Sequence, residues 1–186
     1  SDNAAYWAGQ YSSTMSFGTI SMTNTAGLRN MFLLKTDLNG TELTYREVKG
    51  SGEEITSSLA VSQEGVFWGG YFNSSSGGVT IDSTATTSSN RTKPNSIGGY
   101  DFIYLKYNEN LNLEWYNVAG STGSSATNDD FLLRAVFGEG FLVVSGKFGG
   151  NINFGSSNLT YGGGTGTDMF GLVLDKYNNI IYSIPL

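Results

Sequence analysis

A pattern of four strands that recurs along the chain is the feature that most constrains the fold. In three places a polar residue, a hydrophobic run and a closing Asp or Asn follow one another without gaps between the copies, beginning at Asn30, Asp101 and Asp168. A repeated supersecondary unit predicts a body of stacked, equivalent elements, because each unit buries its apolar face against its neighbour.

A second strand follows each of these runs, beginning at Leu43, Leu113 and Ile180. In two copies the linker between the strands contains Asn39-Gly40 or Asn178-Asn179, and these residue types tolerate the positive φ that a tight turn requires. Each pair is therefore predicted to be a β-hairpin.

Two further strand types complete the unit. The third type begins at Ser58 and Leu133, and a Glu-Gly turn follows it in both copies. The fourth type places a large residue, a glycine and an aromatic residue on one strand face. These triplets are Trp7, Gly9 and Tyr11; Trp68, Gly70 and Phe72; and Val144, Gly146 and Phe148. We interpret them as packing between sheets; the alternative is a sugar-stacking platform that also uses Trp115.

We predict an all-β fold of tandem four-stranded antiparallel blades, β-propeller-like, with about three blades, eleven strands and almost no helix. Residues 1–186 then form a single repeat domain, in which blade one (1–50) lacks its first strand, followed by blade two (51–120) and blade three (121–186). Strands are predicted near 6–11, 31–37, 43–48, 58–62, 66–72, 102–107, 113–118, 132–137, 141–148, 169–175 and 180–184. The Ser- and Thr-rich stretch 73–99 is predicted to be an exposed, mobile loop.

The repeat resembles the SBBP-type β-propeller repeats of bacteria. The resemblance rests on Phe-Gly at Phe17-Gly18 and Phe154-Gly155, the Asp-x-Phe run at Asp168, and an aromatic-ended hairpin. The second copy departs from it, with Asn108 where the closing Asp falls. The resemblance implies four-stranded blades in secreted or cell-envelope proteins, and it implies no catalytic residue.

Composition excludes several kinds of site. The chain has no Cys and no His, which removes disulfides, thiolate metal sites, His-ligated metals and the usual nucleophile-base pairs. A net charge of −6 opposes non-specific binding to nucleic acid or anionic lipid. No apolar run is long enough to span a membrane as a helix. We expect no cofactor, no metal and no catalytic residue.

Several acidic and amide residues are candidates for catalytic or metal-binding roles. Glu53-Glu54 and Asp129-Asp130 are candidates for the two carboxylates of a glycosidase. We favour a repeated loop position that caps a turn or hydrogen-bonds the neighbouring blade. Asp37-Leu-Asn39-Gly40 is interpreted as a hairpin turn, because it lacks the ligand series of a calcium loop. The strand-initial Asn30, Asp101 and Asp168 are interpreted as acceptors for backbone donors.

The remaining motifs are connectors and modification signals. The run Gly162-Gly163-Gly164-Thr-Gly166 is interpreted as a flexible connector, since no Lys-Ser or Lys-Thr follows it as in a phosphate-binding loop. Sequons for N-glycosylation lie at Asn39, Asn73, Asn90 and Asn158, and the sequence does not decide whether they are used. No basic-then-apolar leader is present in this chain.

These observations favour a non-enzymatic structural or adhesion module that is secreted or on the cell surface. Three blades leave apolar end faces, so we expect an oligomer or filament, or the remainder of a longer chain, to cover them. A carbohydrate-binding (lectin-like) module is the alternative, with a glycan as the partner, and a carboxylate-only glycoside hydrolase is the third hypothesis. The ligand itself is not predicted.

Overall fold

The computed structural model describes residues 3–25, 28–73, 78–83, 91–92, 99–121, 129–154, 157–163 and 166–185. These residues form strands and contain no helix, so the all-β prediction is confirmed. The strands are β1 (Ala4–Tyr11), β2 (Thr14–Phe17), β3 (Ile20–Thr23), β4 (Asn30–Asp37), β5 (Glu42–Gly50), β6 (Glu54–Ser62), β7 (Gly65–Phe72), β8 (Val79–Ser83), β9 (Arg91–Thr92), β10 (Asp101–Tyr107), β11 (Leu113–Ala119), β12 (Phe131–Phe137), β13 (Phe141–Phe148), β14 (Ile152–Asn153), β15 (Asn158–Leu159), β16 (Asp168–Asp175) and β17 (Ile180–Pro185).

Three antiparallel sheets form the body of the molecule. The first sheet has the order β1-β4-β5-β8-β9, the second β11-β10-β7-β6 and the third β12-β13-β16-β17. Each keeps two edge strands in the described residues, and none of them closes on itself. The part of the chain that the structure describes therefore contains no closed propeller.

All eleven predicted strands are observed, with ends within a few residues of the predicted ones. The reason is local: alternating apolar residues identify the strands, and Gly, Asn or Asp identifies the turns between them. The eleven predicted strands are grouped in three sheets blade by blade, but β8 and β9, which lie within the bounds of predicted blade two, belong to the first sheet.

The strand register repeats from sheet to sheet. The strand carrying the Gly-containing triplet pairs with the next strand so that Tyr11 lies opposite Asn30, Phe72 opposite Asp101 and Phe148 opposite Asp168. A bulge interrupts the following hairpin at equivalent places, between Lys35 and Thr36, Lys106 and Tyr107, and Val173 and Leu174. The repeat in sequence is thus a repeat in geometry.

The predicted loop 73–99 lies largely outside the described residues, and within its described part the prediction of an exposed loop is wrong for β8. Its segment β8 pairs with β5, and Val79 and Ile81 on that strand are fully buried. The prediction of sheets with at most four strands is wrong for the first sheet, which β8 and β9 extend to five. Three short hairpins, β2–β3, β8–β9 and β14–β15, occupy equivalent linkers that sequence analysis left without strands.

Two apolar cores lie between the three sheets. One joins Met31 and Leu33 of the first sheet to Trp68 and Phe72 of the second. The other joins Phe102 of the second sheet to residues of the third, such as Phe148 and Phe170. The sheets therefore stack face to face, and among the described residues only the second sheet has another sheet against each of its faces.

Candidate functional site

The two ends of this stack carry exposed apolar faces. We call the face of the first sheet that carries Trp7, Gly9 and Tyr11 the leading face, because the equivalent face of the second sheet packs against the first. Trp68 is 0% exposed, whereas its equivalent Trp7 is 54% exposed. The packing interpretation of the triplets is therefore confirmed for Trp68 and wrong for Trp7.

The large triplet residues of the second and third sheets behave as the packing interpretation predicts. Phe72, Val144 and Phe148 are fully buried between sheets, whereas Tyr11 is nearly buried on the leading face, where no described sheet packs against it. A Cβ atom on Gly146 would overlap the Phe131 carbonyl oxygen and the Phe170 ring. Glycine is needed at this place because the neighbouring backbone leaves no room for a side chain.

The third sheet has the opposite exposed face, which we call the trailing face and define by Val136, Met169 and Tyr182. These residues share one side of the sheet through the pairs Val136↔Val143, Val143↔Val173 and Val173↔Tyr182. Met169 is 49% exposed, whereas its equivalent in the second sheet, Phe102, is 0% exposed. The same repeat position is thus buried wherever another sheet follows it.

Part of the leading face is polar. The Tyr11 hydroxyl donates to a carboxylate oxygen of the buried Glu47, and Lys49 Nζ lies 2.9 Å from the other oxygen of that group. Burial, followed by the bond to Glu47, raises the pKa of Tyr11 above its ordinary value. This ordered cluster lies beside the apolar part of the leading face.

The acidic pairs join neighbouring sheets. The Glu54 N–H donates to the Arg29 carbonyl at 2.9 Å, and the Asp130 N–H makes the equivalent bond to the Tyr100 carbonyl at 2.7 Å. The Glu53 carboxylate accepts from the Tyr100 hydroxyl, and this bond, together with burial, raises the pKa of Tyr100 to about 12. The interpretation that the acidic pairs hydrogen-bond the neighbouring sheet is confirmed for Glu54 and Asp130, whereas the Glu53–Tyr100 bond joins two segments that lead into the second sheet.

The Asp130 carboxylate accepts three hydrogen bonds. Its Oδ2 accepts from the Ser121 N–H at 2.5 Å, and its Oδ1 accepts from the Ser121 hydroxyl at 2.6 Å and the Gly149 N–H at 3.0 Å. Burial raises the pKa of the Asp130 carboxyl, and these three donors act against that shift. Ser121 follows a strand of the second sheet and Gly149 follows a strand of the third, so the carboxylate holds the two together.

The hairpin interpretation of Asp37 is confirmed. Its Oδ1 accepts from the backbone N–H groups of Asn39 and Thr41, both at 2.8 Å, and these bonds lower its pKa. Asp175 makes the same pair of bonds in the third copy, and Asn108 makes it in the second. Asn108 therefore replaces the carboxylate without loss of the turn, because an amide oxygen accepts equally well.

The strand-initial polar residues differ from one another. Asp168 accepts from the Gly162 N–H at 2.7 Å, as predicted. Asn30 is buried and donates instead to the Tyr11 hydroxyl at 3.5 Å, so the prediction of a backbone donor is wrong there. Asp101 is also buried.

Glycine-rich and glycosylation motifs lie at the surface or outside the described residues. Gly162 and Gly166 are exposed, while Gly164 and Thr165 lie outside the described residues. Asn39 and Asn158 are exposed, Asn73 uses its Oδ1 to accept from the Glu53 N–H at 2.7 Å, and Asn90 lies outside the described residues.

An open cleft lies beside Trp115. It has a volume of about 640 Å³ and is lined by Glu64, Lys106, Glu114, Trp115, Lys176 and Tyr177. The Trp115 indole N–H donates to the Lys176 carbonyl at 2.9 Å, which fixes the ring at the junction of the second and third sheets. The lining of the cleft combines two carboxylates, two ammonium groups and two aromatic rings.

No protein-family model and no curated protein matches the sequence. Within the described ranges, no group of three or more Asp or Glu side chains is placed to hold a metal ion. The same ranges include no helix with the length and hydropathy of a membrane span.

Proposed function

We propose that this chain is a non-enzymatic structural module that assembles head to tail, the leading face of one copy stacking on the trailing face of the next. The contrast between buried Trp68 and exposed Trp7 at equivalent positions carries the proposal. Large exposed apolar patches mark interaction surfaces. The second sheet supplies the pattern for such a junction, because both of its faces are covered by neighbours with the same register.

A head-to-tail contact uses two different faces, so it either closes into a ring or continues as a filament. Two copies would supply six blade-like sheets, within the range of closed β-propellers. Such a six-bladed ring would be a β-propeller, which is the architecture that the SBBP-type resemblance implies. The propeller, and membership of that family, are part of the proposal.

We place the module outside the cell, on the cell surface or secreted. Composition supports this location: Ser, Thr, Asn and Gly dominate the polar residues, and acidic residues outnumber basic ones by 16 to 10. We propose no enzymatic activity, because the carboxylates of Glu53, Asp129 and Asp130 accept hydrogen bonds from other segments of the fold and Glu54 is fully buried.

Sedimentation over a concentration range of about 1 to 100 µM, which spans common protein affinities, tests the assembly. The wild-type mass should rise above 19.9 kDa with concentration. Trp7→Glu and Met169→Glu should each weaken association by placing a charge in the contact. Leu38→Glu is the matched control, because Leu38 is exposed in a hairpin turn away from both faces.

Mixing the two variants decides the geometry. Trp7→Glu retains an intact trailing face and Met169→Glu retains an intact leading face, so an equimolar mixture should form 1:1 dimers and no larger species. A contact between two identical faces would not be restored by mixing. A wild-type chain that stays a 19.9 kDa monomer throughout would overturn the proposal.

Carbohydrate binding is the second candidate, and the cleft beside Trp115 favours it. A fixed indole at the cleft and an exposed Tyr177 offer ring faces for a sugar, and the balanced charges of the lining suit a neutral ligand. Titration with neutral oligosaccharides of glucose, mannose and N-acetylglucosamine should change Trp fluorescence in wild type and not in Trp115→Phe. Equal responses in both proteins would remove this candidate.

A further inference from the structure

A row of polar side chains on the leading face connects a lysine to a buried asparagine. Lys49 Nζ lies 2.9 Å from one carboxylate oxygen of Glu47, and the other oxygen accepts from the Tyr11 hydroxyl. The Tyr11 oxygen in turn accepts from Asn30 Nδ2 at 3.5 Å. Glu47 and Asn30 are each 2% exposed. The row therefore joins an amine to an amide through a carboxylate and a hydroxyl that water barely reaches.

We propose that the Lys49 amine and the Asn30 side-chain amide join in a covalent isopeptide bond, with Glu47 as the general acid and base. A lysine amine beside a carboxylate is a nucleophile beside its base, the pairing that covalent chemistry of this kind requires. The bond lies within one chain, between β4 and β5. The inference goes beyond the head-to-tail assembly and does not depend on it.

The strand register brings the two reacting residues together. β4 and β5 are antiparallel, and Met31 lies opposite Val48. The next residue on each strand is Asn30 or Lys49, so these two are neighbours across the sheet. Opposed residues of antiparallel strands have Cα atoms about 4.5–5.5 Å apart, a distance that the long, flexible stem of a lysine spans.

The fold leaves the Asn30 amide partly unsatisfied. Its Oδ1 is buried and makes no hydrogen bond within the part of the chain that the structure describes. Nearly all buried polar atoms in folded proteins are hydrogen-bonded, and an exception calls for an explanation such as a reactive role. Attack by a lysine amine on the Asn30 carbonyl carbon is such a role.

The second sheet has different chemistry at the same places. The equivalents of Tyr11, Asn30, Glu47 and Lys49 are, in that order, Phe72, Asp101, Val118 and Gly120. A Cβ atom on Gly120 would overlap the Asp101 carboxylate, which shows that these two residues are opposed as Lys49 and Asn30 are. The second sheet thus has the geometry without the amine, the amide or the carboxylate beside them.

The reaction balances without any further reactant. Lys49 gives one proton to the Glu47 carboxylate, and the neutral amine attacks Asn30 Cγ. The Nζ–Cγ bond forms, the Cγ–Nδ2 bond breaks, and the released nitrogen leaves as ammonium after receiving both protons that Nζ gives up. Glu47 passes these protons on through the Tyr11 hydroxyl, which already contacts Nδ2, and ends as a carboxylate.

Intact-mass spectrometry of the folded chain tests the bond. Loss of ammonia should leave the wild-type chain about 17 Da below the mass calculated from its sequence, a change of covalent formula that no fold produces by itself. A tryptic digest should contain a branched peptide that joins residues 30–35 to the peptide beginning at Glu47, because trypsin does not cleave after a lysine whose amine is blocked.

Two variants remove one reacting group each and keep the shape of the site. Lys49→Arg retains the positive charge beside Glu47 but not the primary amine, so it should fold and keep the full mass of its own sequence. Glu47→Gln should also keep its full mass, because it lacks the base. Lys176→Met is the matched control, since Lys176 lies in a turn of the third sheet, and it should show the wild-type deficit.

Two results would overturn the inference. One is a wild-type chain that has the full mass of its sequence. The other is a deficit that persists in Lys49→Arg, which would come from a different asparagine, for example through succinimide formation at Asn39-Gly40. Neither result bears on the head-to-tail assembly, which sedimentation measures separately.

Discussion

The first and second sheets carry the same repeat with the same register, yet their triplet strands lie in different surroundings. In the second sheet β7 has a strand on each side and a sheet against each face, and its residues are almost all buried. In the first sheet β1 has one strand neighbour, and its tryptophan is exposed. Trp68 and Trp7 are residues of the same type at equivalent positions, so their different burial comes from the first sheet, which covers Trp68 and not Trp7.

The largest expected effect separates the two tryptophans. Trp68→Ala should lower the free energy of unfolding by about 3–5 kcal/mol, because it empties a large volume in the core between the first two sheets. Trp7→Ala should cost about 0.5 kcal/mol or less, as is usual for exposed positions. Urea unfolding at low protein concentration measures both. Equal losses of unfolding free energy would mean that Trp7 is covered in solution by an associated chain.

A smaller effect is expected from a single methyl group at the contact between strands. Gly146→Ala should destabilise the fold by about 1–3 kcal/mol, since the new Cβ would overlap the Phe131 carbonyl and the Phe170 ring. Gly166→Ala is the matched control, because a Cβ there meets nothing within 4 Å. Thermal unfolding of the pair should show a lower midpoint for Gly146→Ala only. A midpoint unchanged from wild type would show that the third sheet tolerates a wider spacing.

The junction of the second and third sheets can be weakened at Asp130. Asp130→Asn should lower stability by about 1–3 kcal/mol, because one of its two acceptor oxygens becomes an NH₂ group that faces a donor of Ser121 or Gly149. Denaturant unfolding of the variant measures the loss. Asp129→Asn, which can keep its single bond to the Tyr100 N–H, is the control and should change stability less. A larger loss for Asp129→Asn than for Asp130→Asn would show that the junction depends mainly on Asp129.

The smallest effect concerns acid pH. Hydrogen bonds from Thr41 and Asn39 lower the pKa of Asp37, so its contribution to stability is present above the unfolded pKa of 3.8 and is lost as pH falls through the lower, folded value. Asp37→Asn should keep the turn at pH 7, since Asn108 makes the same turn. The unfolding midpoint of wild type should fall relative to that of the variant between about pH 5 and pH 2, where such carboxylates titrate. Thermal unfolding across that range measures both midpoints, and a wild-type midpoint that rises relative to the variant on acidification would contradict the assignment.

The acidic pairs and the triplets can be recognised in the sequence as repeated positions, but most of their contacts cannot be predicted from it. The equivalence of Glu54 and Asp130 was readable because both precede the same strand type. Their bonds to Arg29 and Tyr100 were not, because these partners follow distant linkers. The signal for the exposed faces was the count of three blades, which leaves one apolar face uncovered at each end of the stack.

The eleven main strands and their hairpin turns can be predicted from the sequence, because period-two alternation and turn chemistry act between near neighbours in the chain. That Val79–Ser83 joins the first sheet is a property of the tertiary structure. Its partner β5 lies beyond the whole β6–β7 hairpin, and no local pattern reports a pairing over that distance. The same holds for the buried face of each sheet: the triplets are alike in sequence, and stacking alone made Trp68 part of a core and left Trp7 at the surface.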